Sequence, residues 1–175
     1  MAGWRWAHTR RRRAGVAAAA LAGVFAAAQW VGPGRPARGA AANGPIEAHV
    51  GVPAEVDAVL QRACYDCHSN GTRWPAYSRV APVSWLVGKH VREGRASLDF
   101  SDWSTDPTVE PTPEQRLGGI CHDLREKIMP PRSYRMMHPS SKVSDDEVRL
   151  LCAWAREAAA GLPRHAPPPS TPEPS

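Results

Sequence analysis

Apolar residues recur at spacings of three and four along four stretches of the chain, the pattern of a helix that buries one face. The clearest stretch runs from Val56 through Val59 to Ala63 and follows Pro53, which suits the first turn of a helix. The predicted helices cover residues 53–63, 83–94, 112–128 and 144–161. No stretch alternates convincingly between polar and apolar residues, so we expect no sheet and an all-α fold.

The last predicted helix has the sharpest boundaries. Ser144 followed three residues later by Glu147 is the sequence signature of a capping box. Gly161 then suits the C-terminal end of the same helix.

The first 31 residues predict a targeting segment. Arginines at positions 5 and 10–13 precede residues 14–31, which are mostly apolar or small and just long enough for a membrane-spanning helix. The run at 26–28 (AAA) offers a signal-peptide cleavage site, whereas Trp30 followed by Arg35 resembles the flank of a retained anchor and slightly favours that interpretation. In both cases we expect the rest of the chain to be extracytoplasmic, in the periplasm or on the outer face of the cytoplasmic membrane.

Three further regions follow from composition. Residues 32–47 are rich in Gly, Ala and Pro and predict a flexible tether. Residues 48–163 are long enough for one small domain, and the proline-rich residues 164–175 predict a disordered tail.

The excess of positive charge belongs to the targeting segment. The chain has 22 basic and 17 acidic residues, and the first 31 residues hold five of the basic ones and none of the acidic ones. Residues 32–175 are therefore formally neutral, with 17 of each. A basic chain would otherwise suggest nucleic-acid binding, and no nucleic-acid partner is expected here.

The strongest chemical signal is the pentad Cys64-Tyr65-Asp66-Cys67-His68, a C-x-x-C-H pattern. This pattern attaches haem c covalently, because the two thiols add to the two vinyl groups of the porphyrin. The histidine that follows then binds the iron from the proximal side. The sequence contains one such pentad and predicts one covalent haem c, held by Cys64, Cys67 and His68.

Two other uses of the cysteine pair stay open. A structural zinc site needs two more ligands, usually a second close pair, and Cys121 and Cys152 are 31 residues apart. A thioredoxin-like redox pair follows a β-strand, whereas the residues before Cys64 predict a helix.

Met129 is the leading candidate for the distal iron ligand. A thioether raises the reduction potential of haem and suits electron transfer, and Pro130 and Pro131 predict an extended loop that presents the sulfur. The alternative reading is a methionine that fills the core. His138, in a predicted loop over residues 134–139, is the alternative distal ligand, and His90 or an open position are further options.

The two remaining cysteines suit a disulfide. Cys121 and Cys152 fall on the third and last predicted helices, and an extracytoplasmic compartment is oxidising. The alternative is a pair of small buried residues that do not meet.

These motifs together resemble a family of bacterial haem-binding domains related to cytochrome c. The resemblance covers residues 52–160 and implies a small cytochrome c-like helical domain wrapped around one haem, exported or anchored at its N-terminus, with Cys64, Cys67 and His68 on the haem and Met129 as distal ligand. It is carried by CYDCHSN (64–70), TRWP (72–75), VAPVSW (80–85), FSDW (100–103), MPP (129–131) and LCAW (151–154).

The expected function is one-electron transfer, with the iron cycling between its ferric and ferrous states while both axial ligands stay bound. The partners would be redox proteins, and the membrane if the N-terminal segment is retained. We expect a carrier and not an enzyme. The alternative is a peroxidase-like or gas- or peroxide-sensing protein, which would need a weak or open distal position.

Overall fold

Every regular element in the computed structural model is helical across residues 2–32 and 34–162, the part of the chain that the structure describes. This confirms the predicted all-α fold class. The α-helices are α1 (Ala2–Ala28), α2 (Ala54–Ala63), α3 (Tyr65–His68), α4 (Val83–Ser97), α5 (Pro113–Arg125), α6 (Arg132–Met137) and α7 (Asp145–Ala160). Short 3-10 turns cover Ile46–Ala48, Ala76–Arg79 and Pro139–Ser141. The predicted tail, residues 164–175, lies outside the described residues.

The backbone divides into two units. The first comprises residues up to Ala37 together with Trp74–Arg92, and the second comprises Arg38–Arg73 together with the chain from Glu93 onwards.

In the first unit, the residues after α1 contact the segment that precedes α4. The Gln29 side chain accepts a hydrogen bond from the Ala81 amide at 2.9 Å, and the Arg35 guanidinium lies over the ring of Trp74, 4.9 Å from its centroid. Within the described residues, no helix combines the length and the hydropathy that a membrane crossing requires.

The second unit has one apolar core, built by α2, α5 and α7. Leu60, Leu117 and Leu151 are fully buried there. Cys121 on α5 and Cys152 on α7 form a disulfide with a Cα–Cα distance of 4.9 Å, which confirms the predicted pairing.

The segment that leads into α2 also contributes to this core. Ile46, at the end of the predicted tether, is fully buried, and its amide donates to the Phe100 carbonyl at 2.9 Å. Val50 is buried as well. One apolar side chain in a Gly- and Ala-rich stretch has no helical period to reveal it, which is why its burial escapes a pattern argument.

Local signals locate the helices well. The capping box of Ser144 and Glu147 is present and α7 ends before Gly161, as predicted. Thr112 and Gln115 form a second capping box at the start of α5. The prediction of a loop over residues 134–139 is wrong, because α6 occupies most of it. Six residues are too few to show a helical period.

Candidate haem-attachment site

The C-x-x-C-H pentad folds as a single helical turn at the end of α2. Cys64 lies between α2 and α3, and its carbonyl accepts hydrogen bonds from the amides of Cys67 at 3.1 Å and His68 at 3.0 Å. Residues three and four apart on a helix share one side. The two cysteine side chains and the imidazole therefore lie on the same side of the turn. We call residues 64–68 the attachment turn.

A backbone carbonyl orients the imidazole of His68. Its Nδ1 donates to the Leu98 carbonyl at 3.0 Å, so the ring carries its proton on Nδ1 and keeps a lone pair on Nε2. Burial lowers the pKa of His68, an effect only partly opposed by backbone hydrogen bonds. A neutral imidazole fixed in this way is the form that binds a metal.

Both cysteines of the turn are free thiols. Burial raises the pKa of Cys64 to about 12, assisted by the nearby Cys67, and burial together with Asp66 raises that of Cys67 to about 11. Redox-active C-x-x-C pairs depend on a lowered thiol pKa. Neither thiol has the lowered pKa that is typical of a redox dithiol.

The zinc interpretation has no support from the surroundings of the pair. Among the described residues, no group of three or more His, Cys, Asp or Glu side chains is arranged to hold a metal ion. A closed structural zinc site needs four such ligands.

Gly94 on α4 touches the attachment turn. A Cβ atom at this position would lie 2.7 Å from the carbonyl oxygen of Cys67 and 3.1 Å from its carbonyl carbon. Both are backbone atoms, so any side chain here would displace either α4 or the turn. Glycine thus permits the close approach.

Asp66, the third residue of the pentad, is a buried carboxylate that the sequence analysis did not single out. Arg73 donates to it through the backbone amide at 3.0 Å, Nε at 3.1 Å and an Nη2 atom at 3.3 Å. The hydroxyl of Tyr134 on α6 donates to its Oδ2 at 2.7 Å. One signal in the sequence could have revealed Asp66, because it is an acidic residue between the two cysteines of the pentad. No local feature of the sequence identifies Tyr134 as its partner.

An aromatic wall adjoins the histidine. The Phe100 ring meets the His68 ring edge-on, with centroids 6.4 Å apart, and Trp103 stacks on Phe100 at 6.4 Å. Trp103 is fully buried, and its indole Nε1 has no hydrogen-bond acceptor among the described residues. A buried donor of this kind calls for an acceptor that the described residues do not supply, such as an ordered water or a ligand group.

The two leading distal candidates lie on one stretch of chain. Met129 is half-buried between α5 and α6, and its amide donates to the Asp123 carbonyl at 3.2 Å. His138 is half-buried at the end of α6, and its ring stacks on that of Tyr134 at 4.4 Å. His90 is exposed on α4, in the first unit. The role of each as a ligand stays a prediction.

The residues present fit a covalently bound haem. They supply two neighbouring thiols, an imidazole with its free nitrogen defined, an aromatic wall and a buried donor without an acceptor. Comparison with known protein families also points to haem. The model of the haem-binding domain family matches residues 23–157. The chain belongs to the haem-binding domain family. It is a haem protein.

One curated relative of this haem-binding domain is the cytochrome c peroxidase Ccp of Escherichia coli (strain K12). The two are 25% identical over 95 residues, which make up 54% of this chain and 20% of the peroxidase. The chain therefore spans about a fifth of the length of that relative. No solved structure matches the chain.

Proposed function

We propose that this haem-binding domain carries single electrons outside the cytoplasm, through one haem c attached by Cys64 and Cys67. His68 is the proximal ligand and Met129 the distal ligand. The observation that carries the proposal is the attachment turn, in which both thiols and the oriented imidazole share one side. When bound, haem supplies an iron that accepts and releases one electron.

The chain's own residues define the environment of that iron. The Leu98 carbonyl fixes His68 through Nδ1 and makes the imidazole a stronger donor. The buried rings of Phe100 and Trp103 keep water from that side. A dry, apolar surrounding favours the less charged ferrous state and limits reorganisation during electron transfer.

Met129 is the better distal ligand for this function. Its segment is bounded by Pro130 and Pro131, which restrict the backbone, and a thioether raises the reduction potential. His138 is engaged in the stack with Tyr134.

A peroxide-reacting haem protein is the second candidate. The observation that favours it is the similarity to a cytochrome c peroxidase. This function would require an open distal position, with His138 or Arg132 as the nearby polar group.

Two features support an extracytoplasmic location. The basic and then apolar N-terminal segment is typical of export, and disulfides such as Cys121–Cys152 persist in oxidising compartments.

A basic groove offers a place for a redox partner. It is a cavity of about 260 Å³ lined by Arg132, Arg135, Met136, Pro139 and Lys142. Within the described residues, no ion pair joins its three cations to a carboxylate. It begins three residues after Met129 and suits the acidic face of a redox protein.

Covalent attachment is tested by mass. The full chain, expressed in a host that matures c-type cytochromes and weighed after denaturation in acid acetone, should be heavier than the polypeptide by one haem. The double variant Cys64→Ser/Cys67→Ser should have the mass of the polypeptide alone. A wild-type chain without added mass would refute the proposal.

The ligand assignment is tested by the ferric optical spectrum. Thioether ligation gives a weak charge-transfer band at the red edge, which should vanish in Met129→Ala and persist in His138→Ala. A high-spin wild-type spectrum that changes on adding hydrogen peroxide would instead establish the second candidate.

A further inference from the structure

Asp66 connects the attachment turn to the stretch of chain that holds both predicted distal ligands. We call residues 129–138 the distal segment, which runs from Met129 to His138. Tyr134 lies in its middle, and its hydroxyl reaches the Asp66 carboxylate at 2.7 Å across 68 residues of sequence. Asp66 lies one residue before Cys67 and two before His68.

The acceptor is held rigidly. The side chain of Asp66 is 11% exposed, and three groups of Arg73 donate to it. A buried carboxylate that is also ion-paired has a defined position. The hydroxyl of Tyr134 keeps its proton and stays a donor, because burial and the hydrogen bond to Asp66 raise the pKa of Tyr134 above its usual range.

The same tyrosine also holds His138. Their rings stack with centroids 4.4 Å apart and planes at 23°, and the His138 amide donates to the Tyr134 carbonyl at 2.8 Å. One residue therefore contacts the attachment turn through its hydroxyl and a competing ligand through its ring and backbone.

We propose that Tyr134 is a positioning residue that selects the distal ligand: its hydroxyl bond to Asp66 fixes the distal segment against the attachment turn and so holds His138, which stacks on the Tyr134 ring, where it does not replace Met129. This inference rests on the proposed function for the identity of the ligands. The bond between Tyr134 and Asp66 is observed independently of that function.

Tyr134→Phe separates the two contacts, because it removes the hydroxyl and keeps the ring. A hydrogen bond to a charged acceptor is worth a factor of roughly 10 to 100 in an equilibrium constant. We expect the amides of the distal segment to exchange with solvent faster by a factor of that order. The ferric spectrum should lose part of its thioether band and gain a bis-histidine form, and the reduction potential should fall.

Tyr65→Phe is the matched control. Tyr65 also belongs to the C-x-x-C-H region, is half-buried and donates to a carboxylate at 2.6 Å, but that carboxylate is Glu47. Loss of the Tyr65 hydroxyl removes a hydrogen bond of the same kind, but one that does not involve the distal segment. Amide exchange in residues 129–138 should then match the wild-type protein.

The double variant Tyr134→Phe/His138→Ala decides the selecting role. Because it removes the competing imidazole, the thioether band should return while amide exchange stays fast. The selecting role is overturned if Tyr134→Phe keeps the wild-type spectrum. The positioning role is overturned if its amide exchange equals that of Tyr65→Phe.

Failure of the proposed function gives a different result. A wild-type protein without covalent haem or without a thioether band refutes the ligand assignment, and with it the selecting role. Hydrogen exchange in the same chain still tests the Asp66–Tyr134 bond, since that measurement does not depend on the iron.

Discussion

Gly94 determines how closely α4 approaches the attachment turn, and Gly94→Ala tests that contact. The new methyl group would lie 2.7 Å from the Cys67 carbonyl oxygen. Either α4 or the turn has to move to relieve this contact, so we expect the free energy of unfolding to fall by about 1–3 kcal/mol, as for other overpacked sites. The measurement is denaturant unfolding of the full chain, together with the yield of attached haem.

Gly118→Ala is the control for this substitution. Gly118 also lies in a helix, α5, but no atom is within 4 Å of a Cβ built there. Alanine should therefore stabilise the helix by about 0.5–1 kcal/mol. Equal effects of the two substitutions would show that the Gly94 contact is not tight.

Glu147 has a pH-dependent role at the start of α7. The Ser144 amide lowers the pKa of this carboxyl group most, and the Ser144 hydroxyl and Arg62 lower it further. A carboxyl group with a depressed folded-state pKa stabilises the fold above its unfolded pKa, and this contribution is lost as the pH falls through the folded value. Acid should therefore weaken the wild-type protein more than Glu147→Gln.

The check is the unfolding free energy measured across the acid range. At neutral pH, Glu147→Gln should cost about 1 kcal/mol, the size of a capping interaction. Arg62→Gln, which removes the ion pair and keeps the cap, should lose less of the acid dependence. Identical acid profiles for wild type and Glu147→Gln would contradict this assignment.

At the scale of elements, the disulfide joins two of the three helices that build the core. Cys121 on α5 and Cys152 on α7 close a loop of 31 residues. In the chain-entropy model, a loop of this length contributes about 3–4 kcal/mol. We expect Cys121→Ala/Cys152→Ala to lower the free energy of unfolding by that amount, measured with denaturant under non-reducing conditions.

Reduction of the wild-type protein is the complementary experiment. Reductant should bring its stability down to that of the double variant and leave the double variant unchanged. A wild-type stability that does not respond to reductant would mean that the bond contributes nothing.

Elements with local signals were predictable from the sequence. The capping box of Ser144 and Glu147 lies within one turn, and the apolar spacing of α2 and α5 covers their lengths. The six residues of α6 after Pro131 offer no period to read. Ile46 enters the core from a stretch whose composition indicates a tether.

At the scale of the whole molecule, the proximal side of the candidate site was readable and the network around it was not. Cys64, Cys67 and His68 lie within five residues of sequence, so their spacing alone predicts haem attachment. The bond between Asp66 and Tyr134 spans 68 residues and depends on how α6 packs. A pattern of neighbours cannot supply such a contact, because tertiary packing decides it.

The basic groove makes a prediction about the whole surface. Its three cations should attract an anionic partner and speed its encounter at low ionic strength. A gold electrode coated with a carboxylate-terminated monolayer can stand in for the unidentified partner. Arg132→Glu/Arg135→Glu should slow electron transfer to this electrode at low salt, and the difference should shrink towards 1 M salt, where the screening length is about 3 Å.

A control with the same net charge separates the groove from simple charge. Arg125→Glu/Arg149→Glu changes two exposed cations outside the groove and alters the total charge equally. If the groove docks the partner, Arg125→Glu/Arg149→Glu should slow electron transfer less than Arg132→Glu/Arg135→Glu. This difference should hold at every salt concentration too low to screen the charges. Equal slowing by both pairs would mean that overall charge guides the encounter and that the groove has no special part in it.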